Sequence, residues 1–173
     1  MCYNAKIVTI VRNGDPDELY KALMAIKSLS EWDGGYIVHR YIDHIPIISR
    51  VLELQPSSGS INETVMVRCG LKTLRHLFDH GQIDPTTTYN GLPLLHRVVL
   101  NKGSPERVKL LLDNGVDINA QRQRDGYTAL HIAEVLGDVP CRQLLLKRGA
   151  DTTIKDANGH TYLEVMNNYA KPQ

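Results

Sequence analysis

Apolar residues in this chain recur in short blocks that a helix would gather onto one face, and each block ends at a glycine or a polar turn. Val108-Lys109-Leu110-Leu111-Leu112-Asp113-Asn114-Gly115-Val116-Asp117 is matched by Arg142-Gln143-Leu144-Leu145-Leu146-Lys147-Arg148-Gly149-Ala150-Asp151, offset by 34 residues. One more step of the same length back from Gly115 reaches Gly81, which closes Leu74-Arg75-His76-Leu77-Phe78-Asp79-His80. A glycine there supplies the left-handed residue that ends a helix, so the spacing predicts three equivalent helices. A polar stretch follows each glycine, and then a shorter helical block opens. Pro93-Leu94-Leu95-His96 and Thr128-Ala129-Leu130-His131 are two such openings, and Thr161-Tyr162-Leu163-Glu164 is a degraded third. A helix pair this small cannot bury its apolar face alone, so the pairs must stack. Leu110, Leu111, Leu144 and Leu145 are the expected inner faces of the second helices.

The same pattern reaches the first half of the chain in weaker form. Arg12-Asn13-Gly14-Asp15-Pro16-Asp17-Glu18-Leu19 reads as a turn into a second helix, with Pro16 in its first turn where the missing N–H costs nothing. Tyr36 to Ile42 with Pro46 to Leu54, and Ile61 to Cys69 with Leu71 to His80, make two further pairs. Gln55-Pro56-Ser57-Ser58-Gly59-Ser60 connects them as a turn-rich segment. The tally is five helix pairs, the first two divergent, with Tyr162 to Tyr169 opening a truncated last one.

The order of T-P-L-H-like start, short helix, glycine, longer helix and G-A-D hairpin resembles the ankyrin repeat, closely from Gly81 to the C-terminus. The resemblance implies an all-α solenoid of stacked helix-turn-helix units with short hairpin loops. It implies one domain over 1–173: divergent N-terminal repeats over 1–60, clear repeats over 61–158 and a C-terminal capping half-repeat over 159–173. Thr128 is expected to cap its helix through its hydroxyl. In the family, histidines at the places of His96 and His131 hydrogen-bond between helix turns. Glu164, Asn167, Asn168 and Lys171 suit the polar outer face of a terminal repeat, and caps of this kind favour a stand-alone chain.

Charge narrows the partner class. With 20 Lys and Arg against 19 Asp and Glu, spread evenly along the chain, the net charge is +1. A basic stripe for nucleic acid and a basic run for a membrane surface are both missing. The most apolar stretch, Tyr36 to Leu54, is interrupted by His39, Arg40, Asp43, His44, Pro46 and Arg50 and cannot span a bilayer. Three scattered cysteines, Cys2, Cys69 and Cys141, make no disulfide framework, and the N-terminus has no secretory pattern, so a reducing cytosol or nucleus is expected.

His76 and His80 share a helix face at i, i+4, seven residues beyond Cys69, but no second ligand pair completes a metal site. No G-x-S-x-G elbow or phosphate-binding glycine loop occurs. Cys141 opens a helix at a place where repeats carry a packing residue. No catalytic residue, metal or cofactor is therefore expected.

What remains is surface. The resemblance implies a groove lined by hairpin tips and first helices that binds another protein, and that function is expected here without enzymatic activity. The tips are Thr86 to Asn90 and Gln121 to Tyr127. Gly115 to His131 is 16 steps where Gly81 to His96 is 15, so the second tip region carries one added residue, and its Arg122 and Arg124 are expected to project. Together with Tyr89, Arg97, Gln123 and Tyr127 they form the candidate partner site, because Arg and Tyr are enriched where binding energy concentrates. An acidic patch on the partner and a monomeric chain follow as expectations. Leu100 to Glu106 carries a second insertion, since His96 to Gly103 is seven steps where His131 to Gly137 is six. Leu111, Asp117, Ile118 and Asn119 resemble the ankyrin site of asparaginyl hydroxylation; turn chemistry alternatively has Asn119 close its hairpin. Narrower functions remain open: an IκB-like inhibitor of a transcription factor, a host-targeting effector or adaptor, or an enzyme whose site lies in the divergent first 60 residues.

Overall fold

The computed structural model describes residues 5–29, 31–54, 59–84, 88–89 and 92–169. It divides into two compact units, Met1–Asp84 and Pro85–Gln173.

In the first unit the helices come in three consecutive pairs: α1 (Ala5–Asn13) with α2 (Pro16–Met24), α3 (Glu31–Arg40) with α4 (Ile45–Leu54), and α5 (Gly59–Arg68) with α6 (Leu71–Asp79). The first helices α1, α3 and α5 neighbour one another in one layer, and α2, α4 and α6 do so in a second. Val11, Leu19, Leu23, Ile37, Val38, Ile47, Ile48, Val51, Val65, Met66, Leu74 and Leu77 lose essentially all solvent exposure between these layers. Asp15 caps α2, its carboxylate accepting the N–H groups of Asp17 and Glu18 at 2.9 and 3.2 Å, and Pro16 takes the first helical position as expected.

Long side chains tie these divergent pairs together. The Arg50 guanidinium, reaching from α4, donates to the carbonyls of Leu23 and Ile26 at 3.2 and 3.0 Å and pairs with Glu53 at 3.0 Å. It thereby satisfies carbonyls that the end of α2 leaves without helical partners. Asp43, in the turn after α3, accepts the N–H of Gly70 and the hydroxyl of Thr73 at the start of α6. A carboxylate from one pair thus caps a helix of the next.

The second unit opens with a short antiparallel ribbon, β1 (Thr88–Tyr89) on β2 (Leu92–Pro93), in which Thr88 faces Pro93. Next come α7 (Leu94–Leu100) with α8 (Pro105–Asp113), α9 (Ala129–Val135) with α10 (Val139–Lys147), and α11 (Tyr162–Tyr169). The layering repeats: α7, α9 and α11 side by side, α8 beside α10. Gly81, Gly115 and Gly149 have φ of +62°, +84° and +84°, the left-handed terminators their spacing predicts. Leu110, Leu111 and Leu145 are buried; Leu144, expected to join them, is only half-buried. Of the expected polar tail, only the Glu164 side chain lies within the described residues. The side chains of Asn167 and Asn168 fall outside that description, as does Lys171, and Leu163 and Met166 are exposed.

The lengthened turn after α7 is built differently from the count of steps. The helix ends through Lys102, the non-glycine residue at positive φ (+51°), in the place that Gly137 (φ +65°) fills after α9. Gly103 is the extra residue. A Cβ on it would come within 2.5 Å of the Val98 side chain, so the turn admits only glycine there. Ser104 then caps α8, its hydroxyl 3.4 Å from the Arg107 N–H, and Asp138 caps α10 through the Cys141 N–H at 3.1 Å. Among the described residues no helix is long and apolar enough to cross a membrane.

Candidate functional site

The second unit carries the hairpin tips, and two histidines anchor them. Thr128 precedes α9 in extended conformation and forms a reciprocal capping box with His131. Nδ1 of His131 lies 2.8 Å from the Thr128 hydroxyl and 3.3 Å from its N–H, so it is the accepting, unprotonated ring nitrogen. Nε2 then carries the proton and donates to the His160 carbonyl at 3.2 Å. One repeat earlier, Nε2 of His96 donates to the Tyr127 carbonyl at 2.7 Å. Each imidazole thus reaches across to the loop of the next repeat, and only the Thr128 bond runs between turns of its own helix. Burial pushes His96 below the ordinary imidazole value, outweighing the pull of the Tyr127 carbonyl toward the charged form. Pro93 stands where Thr128 stands in the next repeat and brings neither hydroxyl nor N–H. Nδ1 of His96 is buried and has no hydrogen-bond partner among the described residues.

The long tip is a locked loop. The backbone closes it through Arg122 N–H to the Tyr127 carbonyl at 3.0 Å and Gly126 N–H to the Arg122 carbonyl at 2.9 Å. The Arg122 guanidinium grips Asp125 with two parallel hydrogen bonds, Nε to Oδ1 at 2.6 Å and the second to Oδ2. It also sits 5.1 Å above the Tyr127 ring, which stacks in turn on His131 with centroids 5.5 Å apart. Burial alone would raise the Asp125 carboxyl. The Arg122 bonds and the Tyr127 N–H outweigh that and hold it below the ordinary carboxylate range.

Successive loops are also stitched to one another. The Gln121 amide donates to the carbonyls of Gly126 and Lys155 at 2.8 and 2.9 Å, and the Ala157 N–H donates to the Asp125 carbonyl at 2.9 Å. Gly126 makes this approach possible, since its φ is +71° and a Cβ would meet the Ala157 nitrogen at 2.9 Å. Asp156 folds the following loop by accepting the N–H groups of Asn158 and His160 at 2.9 and 2.8 Å. Burial would raise its carboxyl, but these two bonds outweigh that and keep it low. Asn119 takes the Asp151 N–H on its side-chain oxygen at 2.9 Å and so joins two hairpins, while its backbone N–H donates to the Asp117 carboxylate at 2.9 Å, which shapes its own.

These contacts correct part of the expected site. Arg122 does not project: its side chain is 19% exposed and committed to Asp125 and Tyr127. Tyr127 is buried at 7% exposure and serves the stack beneath the tip. Gln123 and Arg124 are exposed at the apex, and Arg97 is half-buried on α7. The Tyr89 side chain lies outside the described residues. Gln121, Asp125, Gly126 and Ala157 were missed as elements of the site. The Asp-Gly dipeptide at 125–126 was the available signal for a special turn.

The rejected chemistry has an observable geometry too. Among the described residues no group of three His, Cys, Asp or Glu could hold a metal. His76 and His80 stack on each other at 3.9 Å, with His80 Nδ1 bonded to the His76 carbonyl. Cys141 is fully buried against the Gly103 carbonyl, and burial with the neighbouring Asp138 pushes its thiol up to about 12. At that value it is no nucleophile near neutral pH.

Comparison with known proteins fits this architecture. The family model for ankyrin repeats in three copies matches residues 64–156. The p105 subunit of nuclear factor NF-kappa-B from Gallus gallus is 39% identical over 93 residues, 53% of this chain and 9% of that protein. A putative ankyrin repeat protein of fowlpox virus, FPV018, is 30% identical over 129 residues, 70% of this chain and 18% of its own. The chain therefore spans less than a fifth of either relative. Among solved structures, EF0377, an ankyrin repeat protein, superposes with a TM-score of 0.70 at 23% identity, covering 98% of this chain and 94% of that one. The ankyrin repeat domain of Bcl-3, a member of the IkappaB family, gives 0.67 at 22% identity, covering 92% and 74%. Ankyrin repeats are protein-interaction modules, and with just over half of its residues matched by their model, this chain belongs to the ankyrin-repeat family.

Proposed function

We propose that the chain is a non-enzymatic interaction domain that binds a partner protein through the apex of the 121–127 loop and the adjoining first helices. The supporting observation is the stiffness of that loop. Arg122, Asp125, Gly126 and Tyr127 are all spent on holding it, which leaves Gln123 and Arg124 displayed at low entropic cost. Arg124 makes an acidic patch the complementary partner surface. Arg97 on α7, and Tyr89 on β1 by its sequence position, extend the face; Arg122 and Tyr127 act as positioning residues. The domain works as a monomer over 1–173, in cytosol or nucleus. Asn119 stays a candidate for hydroxylation on its motif resemblance, which a one-oxygen mass gain on its tryptic peptide from animal cells would test.

A photo-crosslinking residue placed at Gln123 tests the contact face, with one at the exposed Lys109 of α8 as the control. Adducts from the first position, weakened by Arg124→Glu and by high salt, support the proposal. Adducts from Lys109 alone would place the partner on the second helices and end it. The resemblance to the p105 subunit favours a narrower second reading, an IκB-like inhibitor whose partner is a transcription factor. A direct titration with NF-kappa-B separates it from other partners.

A further inference from the structure

The turn between α7 and α8 carries a feature that partner binding at the hairpin tips does not use. With the first turn of α8 it reads Lys102-Gly103-Ser104-Pro105-Glu106-Arg107, and Ser104-Pro105 is the sole Ser-Pro or Thr-Pro dipeptide in the chain. Proline-directed kinases select proline after the acceptor because their pocket offers no partner to a backbone N–H, and proline has none to lose. The cyclin-dependent members also read a basic residue three positions beyond the acceptor, which Arg107 supplies.

The acceptor is accessible. Ser104 is exposed, and its backbone, φ −61° and ψ 149°, is extended at the N-cap of α8, whose first turn, Pro105 to Arg107, must open for a kinase to take the motif as a strand. Its hydroxyl is only loosely held, 3.4 Å from the Arg107 N–H, and it also bonds the exposed Glu106 carboxylate. Beside it lies an open cavity of about 320 Å³, lined by Lys102, Ser104, Pro105, Leu136, Asp138 and Pro140, so a phosphate has room. Gly103, the residue added after α7, lengthens this turn and packs against Val98, and Lys102 before it holds the left-handed conformation.

We propose that Ser104 is a phosphorylation site for a proline-directed serine kinase. The Ser104 Oγ attacks the γ-phosphorus of ATP, the bond to the β-phosphate oxygen breaks and ADP leaves. The hydroxyl proton passes to the kinase's catalytic aspartate. The product carries close to two negative charges at neutral pH. It replaces the hydroxyl donor that Glu106 uses, repels that carboxylate and lies among Lys102, Arg107 and the first N–H groups of α8. An edge that now balances Lys102 and Arg107 against Asp138 and Glu106 becomes anionic.

The test incubates the folded full chain with a cyclin-dependent kinase and ATP, alongside a synthetic peptide of residues 99–110. The expected result is one phosphate on the chain, mapped to Ser104. It is absent from Ser104→Ala and Pro105→Ala and at least tenfold slower on Arg107→Ala, with circular dichroism confirming that each variant is folded. A labelled peptide beside an unlabelled folded chain shows that the turn is closed to the kinase and overturns the proposal. It is also overturned by an unlabelled peptide, or by phosphate retained in Ser104→Ala.

Discussion

Replacing Pro93 by threonine should stabilise this protein, although it removes a proline from a turn. Pro93 and Thr128 hold the same place before their helices, and both are extended, at φ −60°, ψ 144° and φ −87°, ψ 170°. A threonine therefore fits without strain. It would bring a cap hydroxyl for the N–H of His96, a contribution of about 1 kcal/mol. Its own N–H and hydroxyl would also reach the His96 Nδ1, which is buried and unpaired. An unsatisfied buried polar atom costs about 1–3 kcal/mol. Against this, losing the proline frees the unfolded chain at a cost of about 0.4–1 kcal/mol. The net expectation is a gain of about 1–3 kcal/mol. Urea titration followed by circular dichroism at pH 7.5 should show a higher midpoint at unchanged slope. In a His96→Gln background the gain should shrink toward the capping part alone. An unchanged or lowered midpoint, or the same gain without the histidine, would refute the role given to Nδ1.

Arg122→Ala should cost about 1–2 kcal/mol, because a mostly buried two-bond ion pair and a ring contact are lost together, while Arg124→Ala should change stability by less than about 0.5 kcal/mol. Thermal melts of the two variants check this, and equal melting points would contradict the locked loop. Gly126→Ala should cost about 2–4 kcal/mol, from the positive φ and the collision with the Ala157 backbone, measured by the same urea midpoint. Below about pH 6.5 the unfolded chain protonates His96 while the folded chain resists, so stability should fall with pH by up to about 1.4 kcal/mol per unit until the depressed folded value is reached. His96→Gln should flatten that slope. A second loss belongs below about pH 4, where Asp125 and Asp156, both held low in the fold, must take up protons.

Glycines at 81, 115 and 149, leucines at 110, 111 and 145, and the threonine and histidine that cap α9 were legible in the chain as written. Each depends on local geometry: a left-handed terminator, a helical period, a cap three residues from its partner. Such features repeat with the sequence, so five helix pairs and the family resemblance could be read directly. The weaker half was legible too, because Pro16 and the apolar periods mark helix starts even without hairpins. The fate of each polar side chain was not. Arg122 and Arg124 are two residues apart and chemically alike, yet Asp125 and the Tyr127 ring claim one and leave the other in solvent. Gln121, Gly126 and Asn119 matter through Lys155, Ala157 and Asp151, more than 30 positions away, and Arg50 and Asp43 through ends of helices in neighbouring pairs. Helix formation is decided by neighbours within one or two turns, which a sequence displays. Which charge is buried and which is offered to a partner depends on groups brought together by stacking, and only the tertiary structure decides that.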